Sequence, residues 1–73
     1  MKENKIERIT SATAKNYIHD GYKLLDYEFN EISQLAIYYI RHSNGNNIKI
    51  VGDTIERKIK IYLNNKLNKT ISL

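Results

Sequence analysis

Between residues 35 and 51 the chain reads Leu-Ala-Ile-Tyr-Tyr-Ile-Arg-His-Ser-Asn-Gly-Asn-Asn-Ile-Lys-Ile-Val. Two runs of branched and aromatic residues flank a polar segment, and Asn-Gly within it tolerates the positive φ that a tight turn demands. The pattern predicts a β-hairpin. With Asn44 and Gly45 as a two-residue tip, Arg41 faces Ile48 and Tyr39 faces Ile50. The strand period of two carries that side on through Ile37 and Leu35, the expected core face. The other side holds Ala36, Tyr38, Ile40, His42, Lys49 and Val51, and is amphipathic rather than purely polar.

The flanking segments supply the rest of an α+β domain. Ile6, Ile9, Thr13 and Tyr17 recur at three and four, with Ile18 adjoining, which predicts a helix over residues 5–19. Asp20-Gly21 stops it, because Gly21 can adopt the left-handed conformation that closes a helix. In residues 22–29, Leu25, Tyr27 and Phe29 alternate with Asp26 and Glu28, as in a strand with one buried face. Asn30, Glu31 and Ile32 then turn into the hairpin. Arg57 to Leu63 alternates strictly, Ile59, Ile61 and Leu63 against Lys58, Lys60 and Tyr62. After a turn at residues 64–66, Leu67 to Leu73 reads as a final edge strand. The expected architecture is one domain over residues 1–73: an N-terminal helix, then a small antiparallel sheet of three to five strands around the central hairpin.

Two segments also fit a helical period. Ile32, Leu35, Ala36, Tyr39 and Ile40 form a stripe with Asn30 as its cap. Asp53-Thr54-Ile55-Glu56 resembles a capping box ahead of Ile55, Ile59, Leu63 and Leu67 at spacings of four. Read that way, residues 31–42 and 54–67 become helices in a mostly helical, winged-helix-like domain. The strand reading is preferred because Ile37, Tyr38, Tyr39 and Ile40 together are strand formers, and a helix would leave Ile37 and Tyr38 exposed.

Composition narrows the function. Twelve isoleucines suffice for a small core, and the absence of cysteine removes thiol chemistry, zinc fingers and disulfide frameworks from consideration. The start of the chain lacks the apolar run of a signal peptide, and the longest uncharged stretch, Ile32 to Ile40, is too short to span a bilayer, so a soluble, cytoplasmic protein without membrane contact is expected. The net charge of +4 is uneven: residues 1–36 hold five Lys or Arg against six acids, residues 37–73 seven against two. A basic second half fits a polyanionic partner.

Catalytic signals are missing. Gly21, Gly45 and Gly52 match neither a phosphate-binding loop nor a dinucleotide fingerprint, and His19 and His42 have no ligand pattern around them. A binding protein without cofactor or metal is expected, not an enzyme. One constellation has chemical content: Lys49, Lys58, Lys60 and Tyr62, with Tyr38, Arg41 and His42 near the hairpin. On one sheet surface, such residues neutralise phosphates with lysine and stack bases on tyrosine. Alternating lysines on an exposed strand also simply keep an Ile-rich sheet soluble. Of the six tyrosines, Tyr17, Tyr27 and Tyr39 fit the core pattern, and Tyr22, Tyr38 and Tyr62 remain for a contact surface.

In general style the chain looks like the short reading frames of phages and mobile elements of AT-rich bacteria. The order helix, strand, then Ser33-Gln34-Leu35-Ala36-Ile37 leading to an Asn-Gly hairpin is loosely similar to that of small anti-CRISPR proteins. That resemblance implies a protein-interaction module that inhibits or adapts a host nucleic-acid-handling enzyme. The expected partners are therefore nucleic acid, through the basic sheet face, or a host protein. A free edge strand also offers a route to a homodimer.

Overall fold

The computed structural model describes residues 5–73. One helix, α1 (Lys5–His19), precedes five strands, β1 (Tyr22–Asn30), β2 (Leu35–His42), β3 (Asn47–Asp53), β4 (Lys58–Leu63) and β5 (Lys66–Ser72). The strands pair in chain order as a single antiparallel meander. The α+β expectation holds, and both segments with a helical rival are strands, so the winged-helix alternative is not favoured.

Helix α1 buries Ile6, Thr10 and Ala14, spaced by four, and packs Ile9 and Tyr17 against the core beside them. Thr10 and Thr13 return their hydroxyl protons to the carbonyls of Ile6 and Ile9, at 2.6 and 2.8 Å, which satisfies polar groups that face the sheet. At the far end Asp20 N–H donates to the Tyr17 carbonyl at 3.0 Å and Gly21, at φ +100°, turns the chain into β1. The sheet side of the core is Ile40, Ile48, Ile50, Ile59 and Ile61, with Ala36 and Gly52 buried in the same layer.

The loops explain why helix and strand signals overlapped. Asn30 and Asp53 each open a four-residue connection, and each side-chain Oδ1 accepts the N–H groups two and three residues on: Ile32 and Ser33 for Asn30, Ile55 and Glu56 for Asp53. These are helix-capping contacts applied to a single turn. The turn ends at once, because Gln34 and Arg57 take φ of +58° and +59° and redirect the chain into the next strand. The two loops lie together, with Thr54 Oγ1 donating to the Gln34 carbonyl at 3.0 Å, and each holds an isoleucine out in solvent, Ile32 and Ile55.

The central hairpin differs from expectation by one residue. Gly45 N–H donates to the His42 carbonyl at 2.9 Å, His42 N–H to the Asn46 carbonyl at 2.9 Å, and Gly45 has φ +97°. This is a three-residue loop, Ser43-Asn44-Gly45, with the glycine in the left-handed position. Ile40 therefore pairs with Ile48, Tyr38 with Ile50, and Arg41 with Asn47. The slip exchanges the faces of β2: Ala36, Tyr38 and Ile40 point to α1, and Leu35, Ile37 and Tyr39 point away. The two-residue turn occurs instead at Asn64-Asn65, both at positive φ, between Leu63 and Lys66.

Both sheet edges are irregular. The pairing of β1 with β2 skips Leu25, that of β4 with β5 skips Asn68, and Asp26 Oδ1 accepts the Tyr27 N–H at 2.8 Å. Bulges and self-capping of this kind blunt an edge against strand addition. The expected single buried face of β1 is not seen: outside Tyr22 the strand is exposed. Outer strand axes of a five-stranded sheet lie about 19 Å apart and a helix is about 10–12 Å wide, so one helix cannot cover them all. Leu24, Tyr27 and Phe29 remain 47, 46 and 38% exposed beside the helix.

Candidate nucleic-acid interface

The sheet face opposite α1 is built in cross-strand rows. Strand pairing aligns Asp26, Tyr39, Lys49, Tyr62 and Leu67 in one row, and Glu28, Ile37, Val51, Lys60 and Thr70 in the next. A third row holds Leu35, Asp53, Lys58 and Ser72, and Lys23, Arg41 and Asn47 align at the opposite end. Charge changes sign across the face. Acids lie on β1, an apolar spine of Leu35, Ile37 and Val51 runs through the middle, and Lys49, Lys58 and Lys60 lie on β3 and β4 with Asp53 across from Lys58.

Within the first row the Lys49 ammonium sits 4.7 Å from the centroid of the Tyr62 ring, a cation–π contact between directly paired residues. On the other side of Lys49, the Tyr39 hydroxyl donates to Glu28 Oε2 at 3.3 Å. Desolvation, and after it the Glu28 carboxylate, push the Tyr39 hydroxyl above its ordinary pKa. A depression of about 230 Å³ opens beside this row, lined by Leu25, Tyr39, Asn47, Lys49 and Asn65 among others.

Of the seven residues expected to form the contact surface, Arg41, Lys49, Lys58, Lys60 and Tyr62 share this face. Tyr38 and His42 do not. The one-residue slip turns Tyr38 toward the helix, where it packs on the core with its ring centroid 4.6 Å from that of Tyr27. His42 stands edge-on to Tyr22 at 4.9 Å and its Nδ1 accepts the Asn44 N–H at 3.1 Å, so it shapes the hairpin tip. Tyr22 in turn meets Tyr17 edge-on at 5.4 Å, tying the helix end to the sheet. Tyr39, expected in the core, belongs to the open face, and the signal that could have placed it is the loop length alone.

A second basic stripe lies on the opposite side of the domain. Lys5, Arg8, Lys15 and His19 recur along α1 at spacings that keep them outward, and all are exposed. Among the described residues no group of three or more His, Asp or Glu side chains is placed to hold a metal ion. No described helix is long and apolar enough to cross a membrane.

Fold and face together define a two-layer α+β domain with one helix-covered and one open sheet face. Comparison with protein-family models, with curated proteins and with solved structures gives no match.

Proposed function

We propose that the protein is a non-enzymatic nucleic-acid-binding module that works through the open sheet face. The observation that carries this reading is the gathering of Lys49, Lys58, Lys60 and Arg41 with Tyr39 and Tyr62 on one surface that none of the described elements covers. Lysines neutralise phosphates, and tyrosine faces receive bases whatever their sequence.

The test is fluorescence anisotropy with labelled oligonucleotides across a salt series. Replacing Lys49, Lys58 and Lys60 with Gln should weaken binding and flatten the salt dependence, by up to about 0.7 in log–log slope per lost phosphate contact on a single strand. The charge-matched control is Lys5→Gln with Arg8→Gln and Lys15→Gln, which removes the same three positive charges from the helix side and should leave the slope nearly unchanged. Equal losses in both variants would reduce the effect to net charge and sink the proposal.

A second reading, a protein-interaction module acting on a nucleic-acid-handling enzyme, is favoured by the uncovered shelf of Leu24, Tyr27 and Phe29 beside α1. It predicts that Leu24→Ser with Phe29→Ser abolishes association with such an enzyme and that the lysine variant retains it.

A further inference from the structure

Resting on the nucleic-acid reading above, we infer that the open face takes single-stranded rather than duplex nucleic acid, with Tyr62 as the stacking platform for an unpaired base and Lys49 as the cation the base displaces.

Shape is the first argument. The face is made of strands alone, and the described helix lies behind the sheet. Direct readout of a duplex major groove commonly uses a helix or a two-stranded ribbon that enters it, and the open face presents a broad layer of side chains instead. The apolar spine is the second argument. Leu35, Ile37 and Val51 are half-buried at the centre of the face. A duplex presents charged phosphates outward and has no apolar surface to match them, whereas splayed bases do.

The Tyr62–Lys49 contact supplies the third. An ammonium 4.7 Å from the ring centroid places Lys49, the cross-strand partner, over one face of the Tyr62 ring. Cation–π attraction at an exposed site is weaker than stacking of a base, so a base that arrives there replaces the ammonium. The freed ammonium stays on a flexible stem within reach of that nucleotide's phosphate.

Spacing gives the path. Lys58 and Lys60 are two residues apart on β4, about 7 Å, and Lys60 is the diagonal neighbour of Lys49, about 7–8 Å away. Three cations therefore descend the face in even steps, from Lys49 in the stacking row through Lys60 to Lys58 in the two rows beyond it. At the other end of the row, the depression of about 230 Å³ beside Tyr39 is smaller than the roughly 300–1,000 Å³ of typical small-molecule sites. A volume of that order suits one planar base, and Asn47 and Asn65 are among the lining residues.

The experiment compares three labelled probes of equal length near physiological salt: a mixed-sequence single strand, the same sequence as a blunt duplex, and an abasic strand. The single strand should bind about tenfold tighter than either of the others, because only it offers bases to stack. Tyr62→Leu should weaken single-strand binding about fivefold or more with the salt slope unchanged, and Tyr62→Phe should retain it. Far-ultraviolet circular dichroism of both variants verifies the fold. Duplex binding as tight as single-strand binding, or a folded Tyr62→Leu variant that binds like the parent, overturns this inference and leaves the nucleic-acid reading standing. Failure of all three probes to bind overturns both.

Discussion

Gly52 provides the sharpest test of how α1 is seated. It lies in β3 between Ala36 of β2 and Ile59 of β4, on the face that the helix covers. A Cβ added there would overlap Thr10 Oγ1 and lie 3.0 Å from Thr10 Cβ and 3.1 Å from its Cγ2. Thr10 cannot swing away: it is fully buried, its hydroxyl is bonded to the Ile6 carbonyl at 2.6 Å, and its Cβ is one bond from the helix backbone. Two effects compete in Gly52→Ala. Relief of glycine's conformational entropy favours alanine by about 0.5–1 kcal/mol, and overpacking a rigid contact costs about 1–3 kcal/mol. Since the obstacle is next to the backbone, the steric cost takes the upper part of its range and the net loss is about 2 kcal/mol. In a domain of this size that corresponds to a fall in Tm of about 8–16 °C. Urea and thermal unfolding followed by circular dichroism read it, with an unchanged m-value showing that stability, not compactness, has moved. Adding Thr10→Ala removes Oγ1 and Cγ2, so the double variant should be more stable than the sum of the single changes by about 1 kcal/mol. A Gly52→Ala protein as stable as its parent, or strictly additive effects, would refute this account of the seating.

The remaining predictions concern the turns and the titration of the face. Asn65→Ala should destabilise by about 1 kcal/mol, because a non-glycine residue other than Asn or Asp is strained in the left-handed region that this turn requires. Asn65→Gly should be neutral or stabilising, and the same unfolding assay checks both. Desolvation first, then Glu28, raise the Tyr39 hydroxyl, and desolvation, then Tyr38 and Glu7, raise that of Tyr27. The unfolded chain releases these protons earlier, near pH 10, so stability is unaffected below that value and falls as pH rises from there through the raised values of the folded protein. Glu28→Gln should bring Tyr39 back toward the ordinary tyrosine range in an ultraviolet tyrosinate titration; an unchanged curve would mean the two side chains are not neighbours in solution.

The order of elements was legible because each signal is local. Ile6 to Tyr17 repeats at helical spacing, Gly21 ends the run, and Ile59, Ile61 and Leu63 alternate as they do in β4. What was not legible depended on counts of one. Asn-Gly suits a two-residue turn, and it equally suits a three-residue loop with glycine last, which is the loop this chain uses at Gly45. That single residue moves Tyr39 to the open face and Tyr38 to the core side, so the candidate site loses Tyr38 and His42 and gains Tyr39. The capping contacts read at Asn30 and Asp53 are real, but they close four-residue loops because Gln34 and Arg57 turn left-handed, which nothing in their side chains announces. The bulge at Leu25 likewise has no marker in the alternation of β1.

A solvated lysine and a phosphate-binding lysine can look alike on a sheet, and Lys60 is where the two roles separate. It lies in the row of Val51 and Ile37 and is half-buried, so its aliphatic stem covers part of the apolar spine while its ammonium reaches solvent. If cover is its whole role, methionine, with a stem of similar length and no charge, is an adequate replacement and alanine is not. Lys60→Met should keep stability within about 0.5 kcal/mol of the parent, and Lys60→Ala should fall below it by uncovering Val51. Binding orders the variants differently. A phosphate contact needs the charge, so both substitutions should weaken single-strand binding to a similar degree and lower the salt slope alike. Affinity that follows stability, retained in Lys60→Met and lost in Lys60→Ala, would assign Lys60 to the shielding of its own sheet and remove it from the interface.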